Sequence, residues 1–215
     1  MWVLANSDGT GGSPTWTQLS PSGGPSGRFT PSAVYNSTNN RMIVFGGNDV
    51  APCCGSTNDL WVLTNANGLG GSPVWTQLSP SGGPPTVRAS HSAVYDASTN
   101  RMIVFGGGSA RLFNDVWVLS NADGLGGTPN WTQLSPTGGP PAPRFLHSAV
   151  YDPTSNRMII FGGQTTTASQ VNEVWVLSNA NGLGGTPAWT QLSPAGYPPV
   201  PDSRTPPFTT RPRTG

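Results

Sequence analysis

The stretch "NDVWVLSNADGLGGTPNWTQLSP", which runs from Asn114 to Pro136, occurs four times in this chain with small changes. The other copies begin at Met1, Asn58 and Asn172, and the first of them starts inside the unit. Two series of tryptophans mark the copies, and both advance by 59, 56 and 58 residues: Trp2, Trp61, Trp117 and Trp175, then Trp16, Trp75, Trp131 and Trp189. A sustained period of this length indicates a repeat architecture in which each repeat is one supersecondary unit.

Within one repeat the residue pattern is that of short β-strands. Segments rich in β-branched and aromatic residues are separated by Gly, Pro and Asn: "HSAVY" (His91–Tyr95), "RMIVFGG" (Arg101–Gly107), "DVWVL" (Asp115–Leu119) and "NWTQL" (Asn130–Leu134). No segment keeps a 3.6-residue period over the length of a helix. We therefore predict four strands per repeat, strands 1 to 4 of a blade, in one antiparallel sheet. Several such sheets arranged radially form a β-propeller.

At these positions the sequence resembles the kelch repeat family, whose blades also occur in galactose-oxidase-like enzymes. The resemblance is carried by Asn-Asp or Asn-Glu before strand 3, by Trp-Thr-Gln-Leu in strand 4, and by a double glycine after strand 2: Gly46-Gly47, Gly106-Gly107 and Gly162-Gly163. The loop between strands 3 and 4 is longer than the short turn usual in the family. The resemblance implies an all-β, kelch-type propeller.

The repeats divide the chain into three parts. Residues 1–24 hold a half blade with strands 3 and 4 only, and residues 25–193 hold three blades at about 29–79, 89–135 and 145–193. Residues 194–215 form a tail rich in Pro and Thr. The expected content is about three and a half four-stranded blades, which is an incomplete ring.

Three explanations of the incomplete ring stay open at this stage. The chain is a fragment of a longer protein, or it forms a homo-oligomer in which a neighbouring chain completes the propeller, or the tail closes a four-bladed ring. Two chains together would hold about 28 strands, which is the number for seven blades. An open ring leaves unpaired strand edges and an exposed apolar sheet face, and both favour association.

Composition restricts the function and the location. The net charge is +1, charged residues make up 9% of the chain, and lysine is absent, so an electrostatic nucleic-acid binder is not expected. No apolar run is long enough for a membrane span, and no signal peptide is visible. The Ser, Thr, Asn and Gly content favours an extracellular or cell-surface location. Asn36 and Asn130 begin N-glycosylation sequons, and Asn36 is the more plausible acceptor.

The internal copies separate constant from variable loops. The segment between strands 2 and 3 varies in length and composition, and the connection from strand 4 to the next strand 1 varies moderately. Both emerge on one face of an antiparallel blade, where a rigid scaffold usually carries its binding specificity. On this face we predict a site for a protein or glycan ligand that includes the segment Asn48–Thr57, with these contact residues: Arg28, Arg88, Arg144, Asp49, Arg111 and Gln164. In the alternative interpretation, the first three arginines pair with Asp59, Asp115 and Glu173 and are structural.

The remaining candidate groups do not form a catalytic constellation. His91 and His147 occupy equivalent positions and are interpreted as structural, so we expect no metal, no cofactor and no enzymatic activity. Cys53 and Cys54 are adjacent in the longest variable loop, and three alternatives stay open for them: a vicinal disulfide in an oxidising compartment, a disulfide to another chain, or free thiols. The function expected is a non-catalytic binding or scaffold module. Its alternatives are a structural subunit of an extracellular homo-oligomeric or filamentous assembly, and the propeller domain of a secreted carbohydrate-active oxidase.

Overall fold

The computed structural model describes residues 1–7, 10–50 and 55–196, and all the regular structure in these ranges is β-strand. These ranges contain no helix that is long and apolar enough to cross a membrane. The half blade consists of β1 (Trp2–Ala5) and β2 (Thr15–Gln18), which pair antiparallel. The all-β fold class that the sequence predicts is therefore confirmed.

Three larger blades follow along the chain. Blade 1 contains β3 (Arg28–Phe29), β4 (Ser32–Asn36), β5 (Arg41–Asp49), β6 (Ser56–Thr64) and β7 (Val74–Leu78). Blade 2 contains β8 (Ser92–Asp96), β9 (Arg101–Phe105), β10 (Val116–Ser120) and β11 (Asn130–Leu134). Blade 3 contains β12 (Arg144–Phe145), β13 (Ser148–Asp152), β14 (Arg157–Phe161), β15 (Gln164–Thr165), β16 (Val174–Ser178) and β17 (Ala188–Leu192).

Each blade is an antiparallel meander. In blade 2 the order across the sheet is β8, β9, β10, β11, which is the chain order of the four predicted strands. Strand 1 is innermost, because β8 packs beside both β4 and β13. Three two-residue strands were not predicted: β3 pairs with an extension of β5, and β12 pairs with β15. These short pairs form where the segment before strand 1 runs alongside the loop after strand 2.

The hydrophobic core lies between blades, because each strand sends alternate side chains to the two neighbouring blades. Met102 and Val104 of β9 join the cluster shared with blade 1. Ile103 and Phe105, the residues between and after them, join the cluster shared with blade 3. The near-continuous apolar strand 2 therefore follows from burial on both of its faces.

The double glycine after strand 2 allows close backbone contact between blades. Gly107 has φ 83° and its N–H donates to the carbonyl of Arg144 in the next blade at 2.8 Å. A Cβ at Gly107 would lie 2.6 Å from the Cβ of His91 and 2.7 Å from the carbonyl oxygen of Ala89. Any larger residue would push these two segments apart, and this explains why the position is glycine in all three blades.

The long loop between strands 3 and 4 is held by an asparagine at its start. Asn121 has φ 50°, and its side-chain Nδ2 donates to the carbonyl of Thr128 across the loop at 3.3 Å. Asn65 and Asn179 make the same bond in the other blades. Asparagine both tolerates the left-handed backbone conformation and closes the loop with its side-chain amide. These two roles explain why the loop is nearly constant among the copies.

The strand-4 tryptophan fills the space between blades where a preceding blade is present. Trp131 is 2% exposed, and its ring centroid lies 4.9 Å from that of Phe45 in blade 1. Trp189 packs in the same way against Phe105 at 5.0 Å. Trp16, the same residue of the half blade, is 63% exposed.

The outer face of blade 3 is open in the described structure. Phe161 is 40% exposed and Val150 is 60% exposed, whereas their equivalents Phe105 and Val94 are buried by blade 3. The ring is incomplete, as the sequence predicts, and two apolar faces at its ends are exposed to solvent.

Candidate functional site

The variable loops gather on one side of the molecule, called here the loop face. It comprises the segments before strand 1 (20–31, 79–91 and 135–147) and the described residues between strands 2 and 3 (46–50, 55–58, 106–115 and 162–173). Backbone bonds join the two kinds of segment: Arg88 N–H donates to Thr57 O, and Gly47 N–H donates to Arg88 O. The loop face therefore rests on a rigid hydrogen-bonded base.

An arginine beneath the loop face fixes each blade. The Arg88 guanidinium makes two parallel hydrogen bonds to the Asp115 carboxylate, at 2.7 and 2.8 Å. It also donates to Gly106 O at the end of strand 2 and to Thr86 O in its own segment. The side chain thus joins strand 2, strand 3 and the connection before strand 1. Charge-assisted bidentate bonds of this kind are among the strongest in proteins.

The same arrangement recurs in the other blades. Arg28 pairs with Asp59 through two bonds, and Arg144 pairs with Glu173 through one. The structural alternative in the sequence analysis is thus the arrangement observed. The side chains of Arg88 and Arg144 are 0% exposed, so their guanidinium groups do not form an open ring for an anionic ligand. The physical reason is that their donors are directed at carboxylates and carbonyls of the same blade.

The ion pairs also set the protonation of the acids. Burial raises the pKa of Asp115, but the hydrogen bonds and positive charge of Arg88 outweigh it, so the pKa stays below its usual value. The hydrogen bond from Arg144 lowers the pKa of Glu173, and burial opposes it only in part. Both acids are ionised at neutral pH and do not serve as proton donors.

The two histidines belong to the interfaces between blades. His91 Nε2 and Ser32 Oγ of blade 1 are 2.7 Å apart, and the imidazole packs against the Phe45 ring. His147 repeats this contact with Ser92 at 2.8 Å. Burial and then the charge of Arg88 lower the pKa of His91 to about 3, and burial lowers that of His147 to about 4. The structural interpretation of both histidines is therefore confirmed.

A cleft of about 530 Å³ opens on the loop face where the three blades meet. Its polar side chains are Asn48, Ser56, Ser90 and Ser109, and Phe145 supplies an aromatic ring. Ala89, Ala110 and Leu112 complete the apolar part of the wall. None of these residues is charged. The cleft offers hydroxyl and amide groups beside one ring, which suits an uncharged polar ligand or a short peptide.

Three predicted contact residues surround the cleft and are not part of its lining. Asp49 ends β5 and accepts a hydrogen bond from Ser26 Oγ at 2.6 Å. Gln164 lies half-buried in β15, opposite Phe145. Arg111 is exposed with its guanidinium 5.4 Å from the Phe113 ring, and it lines a neighbouring cleft of about 350 Å³.

Sequence reasoning located the variable segments, including the segment Asn48–Thr57 that contributes Asn48 and Ser56, but it did not single out the other lining residues. Ser90, Ser109 and Phe145 are common residue types with no chemical signature, so only their position in variable loops could have indicated them. Charge drew attention to the arginines instead, and the fold uses those charges internally.

The glycosylation prediction for Asn36 is wrong for the folded chain. Asn36 is buried, and its Nδ2 donates to Tyr95 Oη at 2.9 Å and to the Asp123 carboxylate at 3.0 Å. A glycan on that nitrogen would remove both bonds and would not fit between the blades. Asn130 opens β11, where its Oδ1 accepts a hydrogen bond from Ser81. Cys53 and Cys54 lie outside the described residues.

The side opposite the loop face holds a buried carboxylate. Asp123 is buried in the loop between strands 3 and 4 of blade 2, and it accepts hydrogen bonds from Asn36, Asn39 and Asn100. Burial raises the pKa of Asp123, but the hydrogen bonds from the backbone N–H of Leu125 and from the three asparagines lower it by more. The net shift of the pKa is therefore downward. In the described ranges, no three His, Cys, Asp or Glu residues come together as a metal site.

Comparison with known proteins identifies related chains. The family model described as the KLHDC2/KLHL20/DRC7 Kelch-repeats domain matches residues 11–123. Host cell factor homolog hcf-1 of Caenorhabditis elegans is 31% identical over 192 residues, which cover 78% of this chain and 23% of that protein. The Dynein alpha chain, flagellar outer arm, of Chlamydomonas reinhardtii is 32% identical over 145 residues, which cover 64% of this chain and 3% of that protein. This chain therefore spans less than a quarter of the length of these relatives.

One solved structure supports the fold at low sequence identity. YjhT superposes with a TM-score of 0.64 over 91% of this chain and 59% of the YjhT chain, at 15% identity. At that identity the likeness concerns the fold alone. The match agrees with the radial arrangement of four-stranded sheets described above.

Proposed function

This chain belongs to the kelch-repeat family, and from that premise we propose that it is a non-catalytic binding or scaffold module whose loop face takes a protein or glycan ligand. The observation that carries the proposal is the uncharged polar cleft formed by the variable segments of all three blades. Of the described ionisable groups beneath the loop face, Arg88 and Asp115 pair within a blade, and His91 and His147 contact serines of the preceding blade.

The chemistry of the cleft supports this class of ligand. Serine hydroxyls and the Asn48 amide both donate and accept hydrogen bonds, as sugar hydroxyls and peptide groups require. The Phe145 ring gives an apolar surface against which a sugar face or an apolar side chain can pack. The described lining residues carry no charge that would select for an anion or a cation.

The test is a ligand screen followed by a matched pair of variants. Immobilised glycans and a displayed peptide library are screened with the full chain, and the best ligand is then measured by calorimetry. Ser109→Arg places a long cation in the cleft and should weaken binding at least tenfold. Thr128→Arg, on the exposed strand 3–4 loop of the opposite side, should leave the affinity unchanged. A ligand that binds all three proteins equally would refute the proposed cleft.

A second candidate function is a subunit of an assembly joined through the ends of the ring. The exposed apolar side chains at both ends, Trp16 on the half blade and Phe161 and Val150 on blade 3, favour it. Light scattering over a concentration series tests whether copies of this chain associate. A monomer at every concentration would exclude a homo-oligomer.

We further propose a cell-surface or extracellular location, which the lysine-free, weakly charged composition supports. Fractionation of the source cells with an antibody to the chain tests it. Recovery in the cytosol alone would overturn this proposal.

A further inference from the structure

The loop between strands 3 and 4 of blade 2 sits in a socket on blade 1. A Cβ on Gly124 would lie 3.2 Å from Leu78 Cδ1, so the loop backbone rests directly on that leucine. Arg41 Nη1 donates to the carbonyl oxygen of Asp123 at 2.8 Å and fixes the loop from the side. The socket thus contacts the backbone of the turn, and the positive φ of Gly124 (77°) together with this close contact disfavours any larger residue there.

The equivalent loop of blade 3 occupies the same socket on blade 2. A Cβ on Gly182 would lie 3.2 Å from Leu134 Cδ2. Arg101 Nη1 donates to the carbonyl oxygen of Asn181 at 3.1 Å. The two filled sockets therefore have the same construction, and the contact is a recurring element of blade docking.

Beside each socket, one amide side chain donates to one carboxylate, but the blade that supplies the amide differs between the two interfaces. Asn36 at the end of strand 1 donates to the carboxylate of Asp123 at 3.0 Å. In the next interface the roles are exchanged, because Asn181 donates to the carboxylate of Asp96 at 2.8 Å. One amide and one carboxylate meet each time. Two carboxylates at this buried position would repel each other and lose solvation without compensation.

Blade 3 carries a third socket whose lining matches the other two. A cleft of about 290 Å³ on its outer face is lined by Arg157, Val176, Ser178, Thr190 and Leu192. Arg157 and Leu192 are the repeat equivalents of Arg101 and Leu134. Asp152 is the equivalent of Asp96 and keeps the local hydrogen bonds from Thr154 and Ser155. Among the described residues, no donor from another blade reaches it.

We propose that the open face of blade 3 docks a partner of defined chemistry, namely a kelch-type blade whose strand 3–4 loop carries Asn-Gly. The side-chain amide of the asparagine donates to the Asp152 carboxylate, and the backbone carbonyl of the same asparagine accepts from Arg157. The glycine packs on Leu192. This inference deepens the assembly function, since it names what one end of the ring binds. It does not depend on the ligand of the loop face.

Two other contacts define the same partner blade. In the filled interfaces a histidine before strand 1 meets Ser32 or Ser92, and a strand-4 tryptophan packs on Phe45 or Phe105. Blade 3 presents Ser148 and the 40% exposed Phe161 at these positions. The partner blade therefore also carries a histidine and a tryptophan.

A second copy of this chain fits less well. The Asn67-Gly68 loop of a copy is already engaged, because Gly68 packs on Leu19 of the half blade. The Asn181 loop occupies the socket on blade 2. The described amide loops of a copy are thus used within that copy.

The test supplies the partner blade in tandem. Residues 135–192, which include the connection before strand 1 and the arginine that pairs with the strand-3 acid, are inserted between Leu192 and Ser193 of the full chain, with either Asn or Asp at the duplicate of position 181. Each version is made with and without Asp152→Asn in the original blade. Hydroxyl-radical labelling of Phe161 measures coverage of the face, and the exposed Phe29 on the loop face is the internal control.

The labelling of Phe161 is expected to differ between the matched and the mismatched combinations. Labelling of Phe161 should fall at least fivefold in both matched combinations, which are the original Asp152 with an Asn loop and the Asp152→Asn variant with an Asp loop. The combination of two aspartates should bind the added blade at least tenfold less well, as judged from the urea dependence of labelling. Equal protection of Phe161 in all combinations would overturn the proposal, and so would a lack of protection in both matched combinations. Protection of Phe161 in the unextended chain would also overturn it. Such protection at high dilution would identify the chain's own tail as the occupant, and protection that appears only at high concentration would identify a second copy.

Discussion

Trp131 offers the most direct test of the packing between blades. Replacing it with alanine removes an indole that is 2% exposed and lies against the Phe45 ring at 4.9 Å. The strand pairing is retained, because the backbone of residue 131 still lies opposite Leu119 of β10 in the same blade. The substitution therefore removes the contact between blades and leaves the sheet pairing intact.

The magnitude follows from the buried area. A buried tryptophan side chain covers roughly 150–250 Å². At about 25 cal/mol per Å², the part of this area that the alanine methyl does not retain contributes about 3–4 kcal/mol to the free energy of unfolding. A residual cavity brings the expected loss to about 3–5 kcal/mol. With a urea dependence of about 2 kcal/mol per molar, the unfolding midpoint should fall by roughly 1.5–2.5 M. Trp131→Phe provides a milder variant if the alanine protein is unfolded in buffer.

Trp16→Ala is the matched control, because the residue has the same place in the repeat and the same flanking sequence "WTQLSP". It is 63% exposed, so its removal should cost less than about 1 kcal/mol. The assay is equilibrium urea unfolding followed by far-ultraviolet circular dichroism, which does not depend on the deleted fluorophore. Equal losses for the two variants, or a loss under ~1 kcal/mol for Trp131→Ala, would refute the interface packing.

The remaining predictions concern charge. The folded pKa values of His91 and His147, about 3 and about 4, lie below the unfolded value, so their stabilisation is complete above about pH 6.5 and is lost as the pH falls. The free energy of unfolding should drop between about pH 7 and pH 5 by on the order of 1–2 kcal/mol per histidine. His91→Gln should make the free energy of unfolding depend less steeply on pH. A free energy of unfolding that does not change over this pH range in the unmodified chain would contradict the buried, neutral state of the two histidines. Arg88→Met should cost about 3 kcal/mol because it leaves Asp115 without its partner, whereas exposed Arg111→Met should cost under about 1 kcal/mol. Similar losses for the two arginines would show that the buried pair does not hold the blade.

Much of the fold was accessible from the sequence because it depends on local pattern. Alternation of apolar residues, turn residues and the period of the tryptophans are properties of single repeats, and they located the four strands of blade 2 close to the observed bounds. The double glycines and the arginine–carboxylate alternative also recur once in each blade, so the internal copies indicated them without any structure.

The candidate site was accessible only in part. The varying segments lie together on one face, as the sequence predicts, but charged residues attracted the specific predictions and the fold uses Arg88 and Arg144 to fix the blades. The cleft is built from Asn48, Ser90 and Phe145, which come from three different blades. Their proximity is a matter of how the blades pack, and no single repeat encodes it.

The sequence by itself determined the repeat, the strand order and the residues that each blade places toward its neighbours. Only the tertiary structure decided which of those residues are buried. Trp131 and Trp16 stand in the same local sequence, yet one is enclosed and the other is exposed. Asn36 has a glycosylation sequon, yet its amide lies between Tyr95 and Asp123. The physical reason is that burial in a repeat protein is set by whether a neighbouring blade is present, and local sequence cannot supply that neighbour.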